Sequence, residues 1–308
     1  MSNEVNIVLC FCTCQRPNGI RRLLLAVGEL NYDGALSIVV VDNDLAGDGI
    51  AVCEELAPTY RWPLQWCLEE QRGISHARNA AVAKAMESRP DFIAMLDDDE
   101  EPCPDWLTSL VATQRRTNAD VVFGPVLPQF EVKPPDWAVR GRFFERRRFP
   151  EGTIRHIGAT NNCLVRSSCY GDLKAAPFDP EYALTGGSDT ELFTNLRQSG
   201  RVFVWSDQAV VTETLPKSRM SKSWLRRRAY RGGQTFMRID RRYSDSWQAE
   251  LGRLGRTIFR LLFGCVFWIA GLFSETMRLR GELMIATAIG KLSAYAGIRY
   301  IEYAKIHK

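Results

Sequence analysis

Histidine is scarce in this chain: only His76, His156 and His307 occur among 308 residues, which leaves no zinc constellation. Nine cysteines are present without one Cys-x-x-Cys pair. Cys10, Cys12 and Cys14 alternate along an apolar run, which turns all three to one face of a strand. They read as small buried hydrophobes rather than metal ligands. The opening Met1-Ser-Asn-Glu-Val5 has no basic stretch followed by an apolar one, so no secretory signal is expected. Free thiols without such a signal fit a reducing cytoplasm. No internal repeat is found. Charge-free apolar runs are short as well: Leu261–Phe273 is thirteen residues long, against about 20 for a membrane-spanning helix.

Charge is unevenly placed. The net charge is +4, yet Leu215–Arg260 carries thirteen Lys/Arg against three acids, a local balance of +10 that leaves −6 for the rest. A basic segment beside a mildly acidic body fits phosphate-bearing partners. A solvated, arginine-rich helix face is the alternative. No nucleic acid partner is expected.

The first 125 residues alternate short apolar runs with amphipathic stretches. Val5–Cys12, Ser37–Val41, Leu64–Leu68, Phe92–Leu96 and Asp120–Gly124 read as buried strands. Pro17–Leu30, Asp48–Ala57, Ser75–Glu87 and Pro104–Arg116 read as helices, with Pro17 and Pro104 suited to first turns. Such alternation predicts βαβ units and a mostly parallel sheet with helices on both faces. Ligands of such sheets sit beyond the carboxyl ends of the strands, which groups Thr13–Arg16, Asp42–Asp44 and Asp97–Asp99. From Pro125 to Pro150 the pattern dissolves into Pro, Trp, Phe and Arg and reads as a long functional loop. Asn161–Arg166 then reads as a strand, Asp189–Arg197 as a helix and Val202–Trp205 as a strand.

The sharpest local feature is Leu96-Asp-Asp-Asp-Glu100 at the end of a strand. Clustered carboxylates repel one another, and a hard divalent cation resolves the conflict by taking carboxylate and phosphate oxygens together. Strand alternation gives Asp97 and Asp99 a shared orientation and turns Asp98 away. A solvated acidic turn is the competing reading. Asp42 ends the run Ser37-Ile-Val-Val-Val-Asp42, where a carboxylate accepts from a base or ribose, or caps the next helix. Arg78 lies early in the helix after Gly73 and suits a diphosphate, or is a surface arginine.

Thr13-Cys-Gln-Arg-Pro17, Val41-Asp-Asn43, Gly73-Ile-Ser-His-Ala-Arg-Asn79, Leu96-Asp-Asp-Asp99 and Gly187-Ser-Asp-Thr-Glu191 follow in this order. Together they resemble the family-two glycosyltransferases of the GT-A fold, especially those of bacterial exopolysaccharide assembly, over roughly residues 5–240. The resemblance implies an α/β catalytic domain in 1–215 and an inverting transferase using a nucleotide-diphosphate sugar, with UDP favoured by analogy. It assigns Thr13 and Pro17 to the nucleotide-base pocket, Asp42 to a hydrogen bond with the base, and Asp97 to the ribose or donor sugar. It also assigns Asp99 to a Mn²⁺ or Mg²⁺ ion and Asp189 to the catalytic base. Arg78 could contact the diphosphate, and Arg219, Trp224 and Arg227 fall where relatives carry an Arg/Trp segment over it. Asn161-Asn162 resembles the start of a strand beside the acceptor pocket. The sequence departs from the family at Ser188, where Glu is frequent, and in Trp205-Ser-Asp-Gln-Ala, which lacks a histidine. The poor match to Gln-x-x-Arg-Trp points to addition of a single sugar.

Two other readings stand beside this one. A sugar-nucleotide pyrophosphorylase usually opens with a glycine-rich phosphate loop, and Thr13–Asn18 contains no glycine. A non-catalytic nucleotide-binding membrane scaffold would keep its acids for structure.

In 216–308, Leu261–Phe273 and the interrupted Leu283–Ile301 read as two membrane-associated helices lying in or dipping into the cytoplasmic leaflet of the inner membrane. The basic Lys217–Arg242 segment would be drawn to anionic headgroups. A single span would carry Arg278, Arg280, Lys291 and Lys305 across the bilayer, against the positive-inside tendency. That location would set the chain beside a lipid-linked saccharide acceptor. Helices packed on the catalytic domain or on another subunit are the alternative.

Overall fold

In the computed structural model, residues 5–171, 176–244 and 246–302 are described. The chain runs β1 (Ile7–Thr13), α1 (Pro17–Gly28), β2 (Leu36–Asp42), α2 (Asp48–Leu56), β3 (Leu64–Leu68), α3 (Ile74–Met86) and β4 (Phe92–Asp97). It continues through β5 (Glu100–Pro102), α4 (Trp106–Thr117), β6 (Val121–Phe123), β7 (Val126–Phe130), α5 (Asp136–Gly141), β8 (Ile154–Arg155) and β9 (Cys163–Arg166). The remainder is α6 (Ser168–Gly171), α7 (Ser188–Gln198), β10 (Phe203–Trp205), β11 (Val211–Leu215), α8 (Lys222–Tyr243), α9 (Trp247–Ala270) and α10 (Glu275–Tyr295).

Two units divide these elements, the first within 1–127 and 146–213 and the second within 128–145 and 214–302. In the first, an eight-stranded sheet has the order β3-β2-β1-β4-β9-β6-β10-β8. Pairs β3–β2, β2–β1, β1–β4 and β6–β10 are parallel. β9 runs antiparallel to both β4 and β6, and β8 is antiparallel to β10.

β1 is buried almost throughout because both its faces carry apolar side chains. Ile7, Leu9 and Phe11 enter one core layer with Ile20, Leu23, Leu24 and Val27 of α1, the 3–4 spacing of one helix face. Val8 and Cys10 enter the opposite layer with Ala77 and Ala81 of α3 and Leu192 and Phe193 of α7.

Three expectations need correction. Leu64–Leu68 is not a buried strand: none of its residues is fully buried, because it forms the sheet's edge. Pro125–Pro150 contains β7, paired in a second sheet of order β5-β11-β7, and α5, which starts after Pro135. Asn161 and Asn162 precede β9 rather than belonging to it. Asn162 sits in a turn with φ 97°, its amide donating to Pro125 O and Ala209 O and accepting from the Trp106 indole.

In the second unit α10 packs along both α8 and α9. Ser221, Ser246 and Ser274 cap the three helices by accepting from the backbone N–H of Trp224, Ala249 and Met277. The apolar helix is longer than the charge-free run suggested. Trp247–Phe273 contains an 18-residue window of mean hydropathy 1.6, only 17% of which is buried. By length and composition it could cross a membrane.

Candidate active site

Register sets the site. β1 and β2 end together at Thr13 and Asp42, and Cys12 lies opposite Asp97 of β4. The three sequence segments expected at the ligand edge are therefore neighbours, tied by Asn43 N–H to Thr13 O at 2.8 Å.

Asp42 is buried, and its carboxylate accepts from the N–H of Asp44 at 3.1 Å and of Gly49 at 2.8 Å. It fastens the start of α2 to β2, the capping role left open by the sequence. A Cβ at position 49 would lie 2.6 Å from Thr13 Cγ2, so only glycine allows this approach. Burial raises the Asp42 pKa against these backbone donors.

The acidic run departs from strand alternation. β4 stops at Asp97, and Asp98 and Asp99 form a turn. Asp98 is consequently not turned away. It accepts from the Thr13 hydroxyl at 2.9 Å and from Arg16 Nη1 at 2.8 Å. The same nitrogen lies 3.3 Å from Asp99 Oδ2, so Arg16 bridges two carboxylates. Burial pushes the Asp98 pKa up to about 6; Arg16 and Thr13 oppose the rise and Asp99 adds to it. Asp97 accepts from Arg78 Nη2 at 3.3 Å. Its pKa is raised chiefly by burial, with Arg78 lowering it and Asp99, Asp189 and Glu213 raising it.

Glu100 was singled out only as the end of the run, yet it is almost fully buried. Its Oε2 accepts from Asp97 N–H at 2.8 Å and its Oε1 from Asn161 Nδ2 at 3.1 Å. Pairing of β5 with β11 sets it opposite Glu213, whose carboxylate accepts from Arg146. Burial, then Asp97 and Asp99, lifts its pKa well above the usual carboxylate range.

Asp189 is the second residue of α7, which starts at Ser188 after Gly186 and Gly187, whose φ values are 73° and 106°. It is half-buried, and one carboxylate oxygen accepts from Thr190 N–H at 2.7 Å. Its negative charge adds to the rise of the Asp97 pKa, after burial, Arg78 (which opposes it) and Asp99. Glu191, the other acid of the motif, is only 5% exposed, so Asp189 is the more accessible.

Gly73 joins α3 to this segment. Its N–H donates to Asn43 Oδ1 at 2.7 Å, and Ile74 N–H donates to Ala183 O at 3.1 Å. With φ 134° and only 2.7 Å between a built Cβ and Ala183 Cβ, the position demands glycine. Asn79 clamps the Phe178 backbone through both amide atoms, a structural task rather than a ligand contact. Arg78 stands 5.7 Å over the Phe178 ring. Pro17, at the first turn of α1, is half-buried beside Arg16. Arg219 belongs to the second unit, closing the single turn Lys217–Arg219 ahead of α8.

The acids at the edge offer carboxylate oxygens, which suit Mg²⁺ or Mn²⁺. Among the described residues no group of three or more His, Cys, Asp or Glu converges on a metal position. An ion of this type takes one or two carboxylates and completes its shell with substrate phosphates and water. The residues therefore fit a cation that arrives with a diphosphate.

Residues 8–173 match the family description Glycosyl transferase family 2. The succinoglycan biosynthesis protein ExoM of Rhizobium meliloti is 34% identical over 243 residues, 78% of this chain and 77% of that protein. A glucosyl-dolichyl phosphate glucuronosyltransferase of Haloferax volcanii is 23% identical over 261 residues, 79% of each chain. The mannosyltransferase PcManGT of Pyrobaculum calidifontis, solved in complex with GDP-Man and Mn²⁺, superposes with a TM-score of 0.60 at 19% identity. That superposition covers 98% of this chain and 78% of the other, and it shows the GT-A fold. The chain belongs to glycosyl transferase family 2.

Proposed function

We propose that the chain moves one sugar, with inversion, from a nucleotide-diphosphate sugar (UDP-linked by preference) to a hydroxyl of a lipid-linked or polysaccharide acceptor at a membrane. The carrying observation is that the strand ends bring Thr13, Asp42 and Asp97 together at one sheet edge, with Arg78 3.3 Å from Asp97. The likeness to a succinoglycan biosynthesis protein supports an exopolysaccharide setting. Family membership speaks against the pyrophosphorylase reading.

In this reading Asp189 takes the acceptor hydroxyl proton as its oxygen attacks the anomeric carbon. The bond to the nucleotide diphosphate breaks on the opposite face, and a positioned general base contributes about 10²–10⁴-fold. The transition state is oxocarbenium-like. A Mn²⁺ or Mg²⁺ ion held by Asp99 would supply positive charge to the leaving diphosphate. Arg78 adds a second cation there. Arg219 is assigned to the diphosphate on its motif position alone. Asp97 receives the ribose or donor sugar. Thr13 and Pro17 line the base pocket, and Asp42 shapes that pocket through α2 and is assigned the hydrogen bond to the base. The exposed apolar face of α9 attaches the chain to the cytoplasmic leaflet.

Nucleotide release from several nucleotide sugars, with a lipid-linked acceptor pool and with or without EDTA, tests this. Metal-dependent release that Asp99→Asn abolishes is expected. Equal release in EDTA would remove the cation from the mechanism.

A further inference from the structure

Arg16 stands at the N-cap of α1, after Gln15, whose left-handed φ of 55° sets the entry into the helix. The cap is well tied: Arg16 O accepts from the N–H of Gly19 at 2.9 Å and of Ile20 at 3.1 Å. The acidic turn is pressed against the same helix. A Cβ at position 19 would lie 2.6 Å from Asp98 O, so only glycine lets α1 and the Asp98–Asp99 turn come this close. Backbone packing therefore sets the Arg16 guanidinium beside both carboxylates.

The two contacts are unequal. Nη1 lies 2.8 Å from Asp98 Oδ1, and the Asp98 carboxylate is held again by the Thr13 hydroxyl at 2.9 Å. The distance to Asp99 Oδ2 is 3.3 Å. Asp98 is also the more enclosed, its side chain 8% exposed against 18% for Asp99. Arg16 is thus anchored on Asp98 and reaches Asp99 by the longer, more accessible contact. A cation that takes the same Asp99 oxygen must displace Nη1, which then stays on Asp98 as a like charge close by. A diphosphate relieves that conflict, because its oxyanions accept well from a guanidinium. Among the described residues both side-chain contacts of Arg16 use Nη1 alone. Its remaining N–H groups, on a side chain one-third exposed, can turn to such oxygens.

We propose that Arg16 is an internal counter-ion of the acidic turn that competes with the divalent cation for Asp99, and so makes cation binding depend on the nucleotide diphosphate. This deepens the metal role of Asp99 proposed above and rests on it. Arg16 acts as a positioning residue. It holds the turn in place while the site is empty, and yields Asp99 when cation and diphosphate arrive together. Each then raises the affinity of the other, as linkage requires.

Equilibrium dialysis of Mn²⁺ against the full chain, alone and with UDP or GDP, reads this coupling without turnover. The wild type should bind Mn²⁺ alone about tenfold more weakly than with one of the nucleotides, a usual size for coupled sites. Equal affinity alone and with either nucleotide would overturn the proposal on the wild type itself. Arg16→Gln should bind Mn²⁺ alone about tenfold more tightly than the wild type. Arg16→Lys, which keeps the charge, should stay near the wild type, and a gain equal to that of Arg16→Gln would overturn the charge competition. Wild-type affinity in Arg16→Gln would overturn the competition as well, while leaving the metal role of Asp99 standing. Adding Asp99→Asn to Arg16→Gln should erase the gain; a gain that persists would put the extra ion elsewhere and overturn the assignment. Nucleotide-dependent Mn²⁺ binding that Asp99→Asn alone leaves intact would instead sink the metal role of Asp99, and the proposal with it.

Discussion

Glu100 Oε2 accepts the backbone N–H of Asp97 at 2.8 Å, so the acid that closes the run fixes the acid that opens it. Its other oxygen holds Asn161. Glu100→Gln replaces one of these acceptors with a donor and leaves a buried N–H without its partner, a defect worth about 1–3 kcal/mol. Nucleotide-sugar affinity in Mn²⁺ should fall about tenfold, the equivalent of about 1.4 kcal/mol. Titration calorimetry reads this directly, and unchanged affinity would mean that the turn holds itself.

Asp42 offers a contrast between two substitutions. Asp42→Ala strips acceptors from the N–H groups of Asp44 and Gly49 and should cost about 1–3 kcal/mol in denaturant unfolding. Asp42→Asn keeps one oxygen and should lose less. Because burial raises the folded pKa of this acid, its contribution is fully present below the unfolded value. It is lost as pH rises through the folded one. Asp42→Asn should flatten that decline, and an unchanged pH profile would contradict the assignment.

Gly73→Ala should destabilise the fold by about 1–3 kcal/mol through its positive φ, with the contact against Ala183 adding to the loss. Since α3 docks there on the segment leading to Asp189, turnover should fall as well. A variant with wild-type unfolding midpoint and turnover would show that the two segments do not depend on this junction.

Thiol labelling tests the location of α9. Burial pushes Cys12 and Cys53 up to about 12 and Cys169 up to about 11, so they should react slowly with iodoacetamide at pH 8. Cys265 on α9 is exposed and should react ahead of those three. Vesicles should protect it if the helix enters the leaflet. Equal labelling rates with and without vesicles would leave α9 outside the membrane.

Legibility followed locality. β1, β2 and β4 are buried on both faces and stood out as unbroken apolar runs, and Pro17 marked the start of α1. β3 (Leu64-Gln-Trp-Cys-Leu68) is also largely apolar, but its edge position is a property of the sheet. β7 is formed by pairing with β11, far along the chain, so Pro and Arg around it looked like a loop. Within the site, the juxtaposition of Thr13, Asp42 and Asp97 followed from the sheet rule. Asp98 was misdirected because alternation was carried past the strand's end. Glu100 was overlooked because only β5–β11 pairing turns it inward.

The central claim is that Asp189 removes the acceptor proton. Donor affinity and single-turnover rate should be measured on the same preparation of Asp189→Asn. The account predicts unchanged affinity for the nucleotide sugar and a rate lower by about 10²-fold or more. A rate within about threefold of wild type would contradict it.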